Sequence, residues 1–220
     1  MNATPTLQPS LCAFGFALGI VLSTISAPAT ANDAQTHIGH IMAHWNDTPD
    51  EQGLLPIALA EAEVAKTHAG YAASNLDDLS SMQLHAHHVL HALDSSLEPN
   101  GPGRGYGLHK AAQGVATHAE LASETDGATD VIRVSGIMVS SVGRNTAKRT
   151  KHAIDLAKLI LKAKDAASAA DQVQELKLLT EAFFIGEDLN KDGRIVWYHH
   201  EGGLNIAAEQ MAIIMKNKGL

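Results

Sequence analysis

The stretch that decides the fold class is residues 204–215, which reads LNIAAEQMAIIM. At about 100° per residue, its apolar side chains fall on one face of an α-helix. These side chains are Leu204, Ala207, Ala208, Met211, Ile214 and Met215. The same periodicity recurs upstream, where Leu79, Met82, Val89, Leu90 and Leu93 share one face. Repeated amphipathic segments of this kind predict helices that bury their apolar faces against one another.

Composition supports a helical fold for the whole chain. The 220 residues are 45% hydrophobic but only 4% aromatic, and alanine and leucine supply most of the apolar surface. That mixture favours helix, because strands are rich in aromatic and β-branched residues. Working outward from the first stretch, we predict helices at 36–45, 54–74, 76–93, 108–123, 129–164, 167–185 and 204–216.

These segments predict an all-α, antiparallel bundle of six to seven helices, joined by short connections. Residues 98–107 contain four glycines and two prolines and are predicted to form a loop. Two alternatives stay open in the fifth segment. It can break near Gly143, and residues 131–142 are rich enough in β-branched side chains to form a strand.

The N-terminal segment predicts export. Residues 1–31 contain no Lys, Arg, Asp or Glu, carry an apolar run at 11–25, and end in Ala29-Thr30-Ala31. This pattern is typical of a signal peptide with a small-x-small cleavage site, although the usual positive start is absent. We therefore expect a signal peptide at 1–31 and a single helical domain at 32–220, located in the periplasm if the cell is Gram-negative. The alternative is an uncleaved anchor, for which the apolar run is short.

Several functional classes lack support in the sequence. The net charge is −8, with 16 basic and 24 acidic side chains, which does not predict a nucleic-acid surface. After processing, no membrane span and no cysteine remain, since Cys12 lies in the signal peptide. The chain has no Glu-x-x-His, His-Glu-x-x-His or Gly-x-Ser-x-Gly motif, so no catalytic residues are predicted and the sequence does not favour an enzyme.

The 13 histidines are the compositional anomaly, and they are clustered at helical spacings. Neutral imidazole is a good ligand for zinc, copper and nickel. The pairs His40 with His44 and His88 with His91 are spaced so that two rings can reach one ion, and a facing helix can add His68 or His118. The candidate transition-metal ligands are therefore His40, His44, His68, His88, His91 and His118. The arc of His87, His88 and His91 lies away from the apolar stripe, which disfavours a buried cofactor and fits either an exposed site or a surface for a protein partner.

A second kind of metal site is indicated near the C-terminus, where residues 188–195 read DLNKDGRI. This stretch resembles the first eight positions of an EF-hand calcium loop, with flanking helices that make a helix-loop-helix of 167–217. The resemblance implies side-chain ligands at Asp188, Asn190 and Asp192 and a carbonyl ligand at Arg194. The twelfth position departs from the family, because His199 replaces the bidentate Glu. A loop lengthened by two residues would bring Glu201 to the ion instead.

Three functions remain open from the sequence. The first is an exported protein that binds a divalent transition metal through histidines and calcium through the loop, for metal buffering, carriage or sensing. The second is a periplasmic redox protein that holds haem through His-His or His-Met ligation. The third is a calcium-stabilised helical module that binds an unknown protein partner.

Overall fold

The computed structural model describes Met1 and residues 31–217, and this part of the chain contains seven α-helices and no named strand. The helices are α1 (Ala31–Met42), α2 (Leu54–Ala73), α3 (Leu79–Leu93), α4 (Leu108–Glu124), α5 (Asp130–Lys162), α6 (Ala166–Ile185) and α7 (Leu204–Asn217). The predicted all-α bundle is confirmed. The predicted signal peptide, apart from Met1 and Ala31, lies outside the described residues.

Helix α5 is the centre of the bundle, and it packs against α3, α4, α6 and α7. All seven helices contribute to one hydrophobic cluster, in which Phe183, Leu108 and Met211 are fully buried. Much of the rest of this core is alanine, whose small side chain allows helices to approach closely. No helix in the described residues combines the length and apolar character that crossing a bilayer requires.

The fifth segment is a single helix, so both the strand alternative and the break near Gly143 are wrong. Gly143 instead marks close packing, since a Cβ there would lie 2.9 Å from the carbonyl oxygen of Ala112 on α4. Gly136, two turns earlier, faces the carbonyl oxygen of Ala119 in the same way. Glycine costs the helix about 1 kcal/mol relative to alanine, and here that cost permits the α4–α5 contact.

The helix boundaries follow local capping chemistry. Helix α3 begins at Leu79 rather than Leu76 because the Asp78 carboxylate accepts the backbone N–H of Ser81, at 3.0 Å. Helix α6 ends at Gly186, whose φ of 86° is readily adopted only by glycine. Helix α1 ends at Met42, three residues before the predicted end, and this difference decides which histidines can meet.

The glycine-rich connection between α3 and α4 is held in place by a buried carboxylate. Glu61 of α2 is fully buried and accepts hydrogen bonds from the backbone N–H groups of Arg104, Tyr106 and Gly107, at 3.2, 2.9 and 3.1 Å. Charge-assisted hydrogen bonds from three backbone groups satisfy a carboxylate that burial would otherwise penalise. The loop is therefore fixed against α2.

Candidate metal centres

Three histidines meet where α1 packs against α4, and we call them the first triad: His37, His40 and His118. The Nδ1 atom of His118 lies 3.0 Å from Nδ1 of His37 and 3.4 Å from Nδ1 of His40. All three rings are half-buried. The i, i+3 spacing of His37 and His40 places both rings on one side of α1, one turn apart.

The apolar face of α1 brings the first triad together. Ala34, Ile38 and Ile41 are buried in the core and fix the rotation of α1 against α4. His37 and His40 border this face, so they lie at the rim of the helix interface. On α4, His118 is next to the buried Ala119 and occupies the corresponding rim.

A second group of three histidines, the second triad, joins α2 to α3. Nδ1 of His68 lies 3.0 Å from Nδ1 of His85 and 3.2 Å from Nδ1 of His88. The plan repeats that of the first triad: two histidines at i, i+3 on one helix and one histidine on its neighbour. Here the buried faces that set the geometry include Ala65 and Ala69 on α2.

Hydrogen bonding alone does not account for the two triads. An imidazole nitrogen carries one proton or one lone pair in the ring plane, so it takes part in one hydrogen bond. Nδ1 of His118 nevertheless faces two other Nδ1 atoms, and so does Nδ1 of His68. A tetrahedral ion with metal–nitrogen bonds of about 2.0–2.1 Å places its ligand nitrogens about 3.3 Å apart. The separations of 3.0–3.4 Å between the central Nδ1 atom and each of its two neighbours match that geometry.

The electrostatics of both triads favour the unprotonated form that metals require. Burial, followed by the neighbouring histidine charges, lowers the pKa of His118 to about 4. The same causes lower the pKa of His68 to about 4. Burial also lowers the pKa of His40 and of His85. These imidazoles are therefore neutral at physiological pH and have lone pairs for a cation.

An aromatic side chain borders each triad. The Trp45 ring centroid lies 4.8 Å from that of His40 and 4.7 Å from that of His118. Tyr71 occupies the matching place at the second triad, 5.5 Å from His68 and 5.2 Å from His85. These rings shield one side of each cluster and limit how far the imidazoles can turn.

Four of the six predicted histidine ligands belong to the triads, namely His40, His118, His68 and His88. His44 does not, because α1 has ended at Met42 before it, and its Nε2 is 2.7 Å from Oδ1 of Asn46. The proposed pair of His40 with His44 is therefore not formed.

The proposed pair of His88 with His91 is not formed either. His91 is only 5% exposed, and its Nδ1 donates to the carbonyl oxygen of Glu98 at 2.7 Å. His87 is exposed and lies 2.7 Å from the carboxylate of Glu98. The three histidines that were expected to share an exposed arc thus have different environments, because the α3–α4 loop folds back over one end of that arc.

The sequence interpretation did not include His37 and His85, which the structure places in the triads. The sequence pattern could have indicated both residues, since His37-x-x-His40 and His85-x-x-His88 share the i, i+3 spacing that places two rings on one side of a helix. The i, i+4 and i, i+3 pairs further along each helix looked equally suitable, and only the packing of α4 and α2 selects between them.

The calcium-type loop lies between α6 and α7 and is organised by its own acidic side chains. The Asp188 carboxylate accepts the backbone N–H groups of Asp192 and Gly193, at 3.1 and 2.8 Å. Oδ1 of Asn190 accepts the N–H of Asp192 at 2.9 Å, and Oδ1 of Asp192 accepts that of Arg194 at 2.9 Å. These contacts curl residues 188–194 into a compact turn.

Glu201 is fully buried beneath this loop. Its two carboxylate oxygens face the backbone N–H groups of Asn190 and Val196, at 3.4 and 3.2 Å. Behind it, the Arg149 guanidinium donates to the carbonyl oxygens of His200 and Gly202, each at 2.8 Å. In the described residues, the two triads are the groups in which at least three His, Cys, Asp or Glu side chains bring ligand atoms within 4.8 Å of one another. The acidic side chains of the loop do not form a group as close as this.

No protein-family model, curated protein or solved structure matches this chain. Function is therefore inferred from the chemistry of the sites. Three imidazole nitrogens without a thiolate form a donor set that suits zinc, copper and nickel.

Proposed function

We propose that this chain is an exported metal-binding protein in which each triad holds one divalent transition-metal ion. The observation that supports this proposal most strongly is the convergence of three Nδ1 atoms at both places, with spacing that fits a tetrahedral ion. Three protein ligands leave at least one coordination position for water or another donor. An ion held in this way can be exchanged, as metal buffering, carriage or sensing requires.

Metal content measured by elemental analysis tests this proposal. After saturation with zinc and dialysis against zinc-free buffer, we expect about two zinc ions per chain, one for each three-ligand site. The His118→Gln and His68→Gln variants should each retain about one ion, and the double variant should retain none.

The matched control is His44→Gln, which removes a histidine of the same cluster in sequence that lies outside both triads. It should retain as much zinc as the unaltered chain. If His44→Gln lowers the zinc content as much as His118→Gln, or if the unaltered chain retains no zinc, the proposal fails.

The acidic loop supports a second, calcium-type site within this function. We infer that Asp188, Asn190, Asp192, the carbonyl of Arg194 and Glu201 hold calcium, and that the ion clamps α6 to α7. Support comes from the alternating oxygen ligands around Gly193, whose φ is 81°, and from the burial of Glu201 on the loop side of α7. Glu201 takes the place of the bidentate Glu that His199 replaces; without it, affinity should be weak, at a dissociation constant of about 10⁻⁴ to 10⁻³ M.

The melting temperature tests the calcium site separately. The Asp188→Ala substitution should lower it in calcium but not in chelator, because only the occupied site is lost. Asp126→Ala, in an exposed turn outside the loop, should behave alike in both buffers. If Asp188→Ala shifts the melting temperature equally with and without calcium, the loop is a turn that binds no ion.

The haem and partner-binding alternatives stay predictions. Two methionines that could serve in His-Met ligation, Met82 and Met211, are fully buried in the hydrophobic core. A Soret band in protein reconstituted with haem would favour the redox function over metal buffering.

A further inference from the structure

Helix α5 carries a concentration of positive charge, most of which lies outside the metal sites; Arg149 alone is buried beneath the calcium-type loop. From residue 131 to residue 154 the chain contains five Arg and Lys residues and no Asp or Glu. The whole chain has a net charge of −8, so this segment contrasts with the rest of the surface. A local excess of one sign, set in an oppositely charged molecule, attracts ligands of opposite charge to that place.

Part of this charge lines a groove between α4 and α5 with a volume of about 550 Å³. Helix α4 contributes His109, Gln113, Ala116 and Thr117, and α5 contributes Arg144, Ala147, Lys148 and Lys151. Ala116 and Ala147 are buried, and their small side chains leave the space open. Sites for small molecules typically have volumes of about 300–1,000 Å³, so the groove has the size of a metabolite site rather than of a macromolecular interface.

The cations of the groove are available to a ligand. Within residues 31–217, no carboxylate lies within ion-pair distance of Lys148 or Lys151. Arg144 is partly engaged, since its two terminal nitrogens lie 2.9 and 3.2 Å from the Glu120 carboxylate. This pair is exposed on both sides, so water and salt screen it and an anion in the groove can compete for the guanidinium.

Two further polar groups of the groove, the Gln113 amide and the Thr117 hydroxyl, can donate hydrogen bonds to an anion. His109 does not offer its Nδ1–H, which donates to the carbonyl oxygen of Ala147 at 3.1 Å. Arg144, Lys148 and Lys151 are spaced i, i+4, i+7 and extend over about 10 Å along the helix. Their spacing fits two or three anionic groups on one small molecule.

We propose that the α4–α5 groove binds a small polyanion that carries two or three carboxylate or phosphate groups. Large polyanions are disfavoured, because the rest of the molecule is acidic and the groove is short. This site uses neither the triads nor the calcium-type loop, so its test is independent of metal binding.

Isothermal titration of the full chain with tricarballylate and with pyrophosphate, in buffer without added metal, tests the groove. The double variant Lys148→Gln/Lys151→Gln should weaken binding by about tenfold or more, because two charge-assisted contacts are lost. The control is Lys158→Gln/Lys162→Gln on the same helix, which changes the net charge equally outside the groove and should change affinity by less than about twofold. The tighter of the two probes identifies carboxylate or phosphate as the preferred group.

Three results would overturn the proposal. One is the absence of saturable binding for both probes. Another is equal weakening in the groove variant and the control, which would indicate general charge attraction. The third is saturable binding that requires a long oligonucleotide, which would indicate an extended surface rather than a small-molecule site.

Discussion

The central histidine of each triad, His118 or His68, determines the chemistry of its site. Each lies within hydrogen-bonding distance of two other imidazoles, and each has a pKa of about 4 because of burial and neighbouring histidines. At neutral pH these two central imidazoles are therefore unprotonated, and adding a proton to either is unfavourable. Each can offer a lone pair to a metal ion without first losing a proton.

This electrostatic arrangement predicts how the metal-free protein responds to acid. The pKa of His68 is about 4 in the folded chain and about 6.5 for a histidine in the unfolded chain, so the unfolded chain binds more protons between these values. The free energy of unfolding should therefore be highest above pH 6.5 and should decrease as the pH drops toward about 4.

Urea unfolding of chelator-treated protein at several pH values measures this effect. The His68→Gln variant should show a shallower loss of stability across the window, whereas His199→Gln, which replaces an exposed histidine outside both triads, should follow the unaltered chain. Parallel pH profiles for all three proteins would contradict the lowered pKa of His68 at the second triad.

Trp45 offers a readout of the first triad alone. The chain has two tryptophans, so Trp197→Phe leaves Trp45 as the single one, 4.7 Å from the His118 ring and 4.8 Å from the His40 ring. Copper(II) bound at this triad should quench most of the Trp45 fluorescence. In the same background, His118→Gln should abolish saturable quenching and His68→Gln should preserve it. Quenching that depends on His68 but not on His118 would place the ion elsewhere.

At the scale of helices, each triad connects two elements that are distant in sequence or joined by a turn. The first triad ties α1 to α4, and the second ties α2 to α3. Helix α1 is the first helix of the described chain and packs against α4 and α2. Metal binding should therefore stabilise the docking of α1 more than it stabilises the centre of the bundle.

Hydrogen exchange with and without zinc tests the stabilisation of α1. Ligand at about a hundred times its dissociation constant adds about 2.7 kcal/mol to the folded state, so exchange through undocking of α1 should slow by about a hundredfold. His118→Gln should remove this protection from α1 but leave the zinc effect on α2 and α3. Unchanged α1 exchange in the unaltered, zinc-loaded protein would show that the first triad is empty.

The α3–α4 loop depends on one residue of α2. Replacing Glu61 by Gln exchanges one acceptor oxygen for an N–H₂ group that faces backbone donors, which should cost about 1–3 kcal/mol of stability. Glu63→Gln, an exposed neighbour on the same helix, should change stability by less than about 0.5 kcal/mol. Urea unfolding distinguishes the two, and equal effects would mean that Glu61 is not the clamp for the loop.

At the scale of the whole molecule, much of the fold could be predicted from the sequence. Amphipathic periodicity and alanine content identified seven helices, because the buried stripe of each helix repeats every three to four residues. The errors arose where tertiary contacts override local preference. Gly143 looked like a break in sequence but marks the α4–α5 contact, and the β-branched run at 131–142 is helical because it packs within the bundle.

The candidate site could be predicted only in part. The sequence named His40, His68, His88 and His118, four members of the close histidine groups, because clustering on separate helices is visible in the sequence. Their partners were not, since i, i+3 and i, i+4 neighbours look alike until α4 and α2 are placed. His91 shows the difficulty, because its Nδ1 donates a hydrogen bond to the backbone carbonyl of Glu98 in the α3–α4 loop, which the sequence does not reveal.

The most direct test is a crystal structure of the zinc-loaded protein with anomalous data collected at the zinc edge. We predict two strong anomalous peaks, one in each triad, with three Nδ1 atoms about 2.0–2.1 Å from each ion. Peaks confined to other histidines such as His44 or His152, with the two triads empty and their rings turned apart, would contradict the proposal that this helical bundle is built to hold two metal ions.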